Sequence, residues 1–139
     1  DVFVTPDDQT LLIGMTGGDG VEVYDVSKNP AKKIKLIQTG KGAHAFRALG
    51  DKQHVLVSNR VANSISKIDY KSLTVVDKFP GPGGPDCMDI MADGKTILLS
   101  SRWAQKLSVI DMRTRQVVRQ IKVGKSPHGV WTLDHASRQ

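Results

Sequence analysis

One short motif recurs along this chain at a fixed spacing, and that recurrence limits the possible folds more than any other feature. Gly124-Lys125-Ser126-Pro127-His128-Gly129-Val130 lies 42 positions after Pro82-Gly83-Gly84-Pro85-Asp86-Cys87-Met88, which itself lies 42 after Gly40-Lys41-Gly42-Ala43-His44-Ala45-Phe46. The segments between follow the same register. Leu107-Ser108-Val109-Ile110-Asp111 sits 42 after Ile65-Ser66-Lys67-Ile68-Asp69 and 86 after Val21-Glu22-Val23-Tyr24-Asp25. Three copies of one unit cover nearly the whole sequence. A period of this length marks a chain built from stacked supersecondary units.

Each copy reads as four short strands. In the first, apolar or alternating runs at 2–4, 10–15, 21–26 and 33–38 are separated by turn-forming Thr5-Pro6-Asp7-Asp8-Gln9, Gly17-Gly18-Asp19-Gly20 and Ser27-Lys28-Asn29-Pro30-Ala31. The second places strands at 45–49, 54–59, 64–69 and 74–79, the third at 88–91, 96–101, 106–111 and 116–123. Gly129 to Leu133 opens a further innermost strand, and Asp134 to Gln139 forms a tail. No stretch has a helical period. Four strands per copy indicate an all-β chain, a β-propeller with one blade per copy. A parallel β-helix has shorter coils and fits less well. The expected blade units are 1–40, 41–82 and 83–124, with 125–133 starting another and 134–139 as tail.

These units resemble the YVTN family of β-propeller repeats. The pieces that carry the resemblance are Gly124-Lys125-Ser126-Pro127 at a crossing, Ala92-Asp93-Gly94 at a hairpin turn, Val57-Ser58-Asn59, Leu107-Ser108-Val109-Ile110-Asp111, and Val117 to Ile121. The namesake tetrapeptide is degenerate, replaced by Val55-Leu56-Val57-Ser58-Asn59 and Ile97-Leu98-Leu99-Ser100-Ser101. The resemblance implies a seven-bladed ring, of which this chain is a C-terminal three-blade portion, and a periplasmic or extracellular location. Three blades cannot close on themselves, so the expected partners are missing blades of the same parent chain or homo-oligomeric copies. The chain starts inside a unit, without an initiator Met or signal peptide, as expected of a piece of something longer.

Composition adds exclusions. The 20 Lys and Arg against 14 Asp and Glu give a formal charge of +6, but the cations are spread over all three units. No basic stripe with interleaved aromatics points to nucleic acid, and no run is long enough to cross a membrane. The single cysteine, Cys87, excludes an internal disulfide and reads as a packed small residue. Gly81-Pro82-Gly83-Gly84-Pro85 lacks the Lys-Ser/Thr of a phosphate loop and reads as a stiff crossing.

In a propeller, the crossing into each innermost strand and the loop between second and third strands share one mouth of the central channel. The register therefore sends His44, Asp86 and His128, with Arg60, Arg102 and Trp103, to one face. These six are the candidate ligand-binding residues; Arg60 and Arg102 suit a carboxylate or phosphate, or a neighbouring blade's Asp. A structural reading has His44, Asp86 and His128 capping strand starts through backbone groups, and blade spacing argues against joint ligation of one metal. Neither a catalytic residue nor a metal ligand is assigned, and the cofactor is left unknown. Trp131 reads as packing, while Asp25, Asp69, Asp111, Asp7, Asp8, Asp51 and Asp93 read as turn residues. The reading is a non-catalytic binding or scaffold propeller recognising a protein, glycan or small ligand at the mouth. Two alternatives stay open: a lactonase-like hydrolytic propeller using His44, Asp86 and His128, and a haem-associated periplasmic redox propeller.

Overall fold

A computed structural model of the chain describes residues 1–138. It contains twelve strands: β1 Val2–Val4, β2 Thr10–Gly14, β3 Val21–Asp25, β4 Lys32–Ile37, β5 Ala43–Ala48, β6 His54–Asn59, β7 Ser64–Asp69, β8 Thr74–Pro80, β9 Pro85–Ile90, β10 Thr96–Ser101, β11 Lys106–Asp111 and β12 Gln116–Lys122. They form three four-stranded sheets, ordered β1-β2-β3-β4, β5-β6-β7-β8 and β9-β10-β11-β12. Every pairing within them is antiparallel. Each sheet is therefore an up-and-down meander, the form of a propeller blade. Among the described residues no helix is long and apolar enough to cross a membrane.

The turns form where the aspartates are. Asp7, Asp51 and Asp93 accept backbone amides two positions on, from Gln9, Gln53 and Lys95. Asp25, Asp69 and Asp111 do the same for Ser27, Lys71 and Arg113 at the ends of β3, β7 and β11. A short carboxylate that satisfies the amides of a tight turn fixes where a strand must stop.

The core lies between sheets, not within them. Leu12, Val21, Val23 and Ile37 of the first sheet pack with Ala43, Val55, Val57 and Ile68 of the second. On the other face of the second sheet, Leu56, Ile65 and Phe79 meet Met88, Ile90, Ile97, Leu99 and Ile110 of the third. Side chains alternate across a strand, so Val55 and Val57 face one neighbour and Leu56 the other. That is why β6 reads as a continuous apolar run. The two outer sheets leave apolar side chains in solvent: Val2 and Val4 on β1, Ile34 and Leu36 on β4, Val118 and Ile121 on β12.

The end of the chain departs from the sequence expectation. Residues 123–134 contain no strand. An innermost strand is held by the second strand of its own blade, and no such strand lies beside this segment among the described residues. Trp131, expected to pack, is consequently 62% exposed. The expected tail is instead tied down. Ala136 N–H donates to the Ile90 carbonyl, and Met91 bridges His135. The buried Arg47 donates to the carbonyls of Ala136 and Ser137 and to Asp89, which also takes Thr132 and Arg138. Gln139, the last residue of that tail, lies outside the described residues.

Candidate functional site

The mouth is assembled by a loop that recurs in the second and third sheets. In the second sheet, Arg60 N–H donates to the Gly42 carbonyl at 2.8 Å, and in the third, Arg102 N–H donates to the Gly84 carbonyl at 2.9 Å. Each bond ties the loop after a second strand to the crossing that enters the first. Gly84 has φ of +70°, and a Cβ there would lie 2.5 Å from the Trp103 ring. Only glycine lets the crossing pass under that indole. Both arginines are thereby delivered to the start of an innermost strand.

Asp86, the second residue of β9, is fully buried, and its carboxylate is shared between two groups of partners. Oδ2 accepts from Arg60 Nη2 at 2.9 Å and from Arg102 Nη1 at 3.2 Å. Oδ1 faces His44 Nε2 at 2.8 Å and His128 Nε2 at 3.5 Å. The two imidazoles meet edge to face with centroids 5.6 Å apart. Cys87 Sγ lies 3.7 Å from Asp86 Oδ1 and 3.7 Å from His128 Nδ1. Residue 128 is held beside β9 by the Ser100 hydroxyl, which lies against the carbonyls of both Cys87 and His128.

The electrostatics follow from burial and from these neighbours. Burial pushes the His44 imidazole below its ordinary pKa, with Asp86 pulling partly the other way, so the ring is neutral at pH 7. Its Nδ1 is buried without a hydrogen-bond partner among the described residues. Burial acts to raise the Asp86 pKa, but His44, Arg102 and Arg60 outweigh it and hold the carboxyl below its usual value. The Cys87 thiol is pushed up to about 11, first by burial and then by the adjacent Asp86 charge. Cys87 is thus a protonated thiol unless a cation displaces its proton.

His44, Asp86, Cys87 and His128 each offer a donor atom, and these atoms all lie within 4.8 Å of one another. This corrects the expectation that blade spacing keeps the mouth residues too far apart for one ion. His44 and Asp86 are the second residues of β5 and β9, and the Ser100 hydroxyl holds residue 128 beside β9. It also corrects the strand-cap reading: the three side chains bind one another, not backbone groups. The non-catalytic scaffold reading is corrected by the same cluster, because its four donor atoms could hold a metal ion, which backs the lactonase-like alternative better. Arg60 takes one of the roles foreseen for it, pairing with the Asp of the next sheet, and Arg102 joins it. Trp103 is 54% exposed on the same loop.

Cys87, which reads in the sequence as a packed small residue, is brought against both Asp86 and His128. The available signal was its adjacency to Asp86 combined with the register that brings His128 back to the same mouth. A separate cavity of about 380 Å³, lined by Thr5, Tyr70, Lys52 and Lys71 among others, opens at the opposite end of the sheets and contains none of these residues.

Comparison with known proteins agrees with this architecture. The model of the YNCE-like β-propeller family matches residues 1–138. The chain belongs to that family. Among solved structures, Kuenenia stuttgartiensis hydrazine synthase aligns with 27% identity and a TM-score of 0.69 over 86% of this chain. A functionally unknown protein from Desulfotomaculum acetoxidans aligns with 12% identity and a TM-score of 0.71 over 91%, a likeness of fold alone. The chain spans 35% and 43% of those two chains. No curated protein matches it. These findings support a propeller relationship, coarser than the YVTN resemblance.

Proposed function

We propose that this YNCE-like propeller carries a metal-dependent hydrolytic site acting on a lactone or related ester. The observation that carries the reading is the set of four donor atoms within 4.8 Å of one another at the mouth. Two imidazole nitrogens, a carboxylate oxygen and a sulfur suit zinc or a similar first-row ion, whereas calcium and magnesium prefer all-oxygen sites. His44, Asp86, Cys87 and His128 would together hold the ion. A divalent ion there would supply Lewis acidity, polarising the ester carbonyl and acidifying a water.

The remaining work falls to the chain's own residues. Arg60 and Arg102 fix the Asp86 carboxylate through Oδ2, which leaves Oδ1 directed at the two histidines. The two guanidiniums outnumber the one carboxylate, so the mouth favours the negative charge that develops during acyl transfer. The Asp86 contact orients the neutral His44 ring. His128 is the more exposed of the two histidines, so this side of the cluster is the one open to solvent.

The finer architecture belongs to the same proposal. The three sheets, with blade units at 1–40, 41–82 and 83–124, are part of a ring of about seven blades completed by further blades or further copies. A periplasmic or extracellular location is supported by the YVTN resemblance.

The test is hydrolysis of simple γ- and δ-lactones and aryl esters by the full chain, before and after chelation. Chelation should abolish turnover and zinc should restore it. His44→Ala and His128→Ala should each lower kcat/KM by about 100-fold or more. Turnover that survives chelation and both substitutions would overturn the reading.

A further inference from the structure

The residues around the cluster also specify what kind of molecule reaches it. Arg102 meets Asp86 through Nη1 alone, and its side chain is 34% exposed. The Nε and Nη2 hydrogens, which form the planar two-donor edge of a guanidinium, have no partner among the described residues. That edge matches a carboxylate bidentately. Arg60 is different: Nη2 is spent on Asp86, and its Nε is buried. The free fork at this mouth therefore belongs to Arg102.

Trp103 follows it directly. Its indole is half exposed yet held in place, seated on the backbone of Gly84 and anchored by Trp103 N–H donating to the Gly83 carbonyl at 2.9 Å. Gly84 is two residues before Asp86, so the ring rests on the same crossing that leads into the carboxylate. The equivalent loop of the second sheet carries Val61 at the matching position, also exposed and in contact with Gly42. A cationic centre is thus flanked by an ordered aromatic surface.

We propose that this site selects an amphiphilic carboxylate, whose acid group docks on the Nε/Nη2 edge of Arg102 and whose flat apolar body lies on Trp103. The inference rests on the hydrolytic reading for what is then done to the bound molecule. The probe for recognition is benzoate, with benzamide as its neutral counterpart, titrated calorimetrically into the chelator-treated full chain. Benzoate should bind at least tenfold more tightly than benzamide. Arg102→Lys, which keeps the charge but removes the fork, should weaken benzoate about tenfold, and Trp103→Leu should weaken both probes. Equal binding of the two probes, no binding of benzoate, or no effect of either substitution would overturn the inference. The two readings fail separately. Hydrolysis at equal rates for carboxylate-bearing and neutral phenyl esters would remove this inference alone. Benzoate bound as described, with no ester hydrolysed after zinc is restored, would remove the hydrolytic reading and leave the recognition standing.

Discussion

Asp86 is the residue on which the mouth depends. Two guanidiniums and two imidazoles turn toward a carboxylate that has no access to water. Breaking a buried ion pair costs several kcal/mol because the stranded partner keeps its desolvation penalty. Asp86→Asn should therefore cost about 3 kcal/mol, at the low end because both arginines are partly hydrated, read from the shift in a urea midpoint. Cys87 gives a second expectation. With its pKa pushed to about 11, the folded thiol should alkylate with iodoacetamide at pH 8 more than 100-fold more slowly than the unfolded chain. Equal rates would mean that the thiol is not held as described. At this scale the sequence was informative about identity and poor about distance. The repeat register sent His44, Asp86, His128, Arg60 and Arg102 to one mouth. It could not show that Asp86 would be the common partner of the other four, because that depends on how closely innermost strands approach.

Among the elements, strand ends are set by acidic turns and strand faces by alternation. Asp69 is held down to about 2, chiefly by a hydrogen bond from Gln53 and then by the Ser72 amide. A carboxyl depressed below its unfolded value of about 3.9 contributes stability above that pH and loses it as pH falls toward 2. The stability gap between the natural chain and Asp69→Asn should accordingly shrink between pH 4 and pH 2, followed by denaturant melts across that range. A gap that stays constant would contradict the assignment. Leu56, buried between the second and third sheets, should cost about 2–4 kcal/mol when changed to Ala. The turns and most strand bounds were legible because Pro, Gly and Asp act locally. The segment after Gly124 was not, since a strand forms only if a partner strand is beside it. Nor was the Arg47–Asp89 pair that pins residues 132–138, whose members are 42 positions apart and belong to neighbouring sheets.

For the whole molecule, the governing fact is that repeat sheets bury their apolar faces only against one another. The middle sheet is covered on both sides, while the outer two show Val2, Val4, Val118 and Ile121 to solvent. The ring proposal predicts that light scattering finds a native particle holding about seven blades. A stable monodisperse particle of 15.2 kDa would argue against it. The blade architecture was readable from the 42-residue register. The chemistry of the mouth was not, because four donors drawn from three crossings share no contiguous motif. The most direct test of the central claim is a zinc titration of the chelator-treated full chain, with metal analysis of the product. One ion per chain, lost in both His44→Ala and Asp86→Asn, is the result this structure predicts. No saturable binding, or binding unchanged by those substitutions, would contradict it.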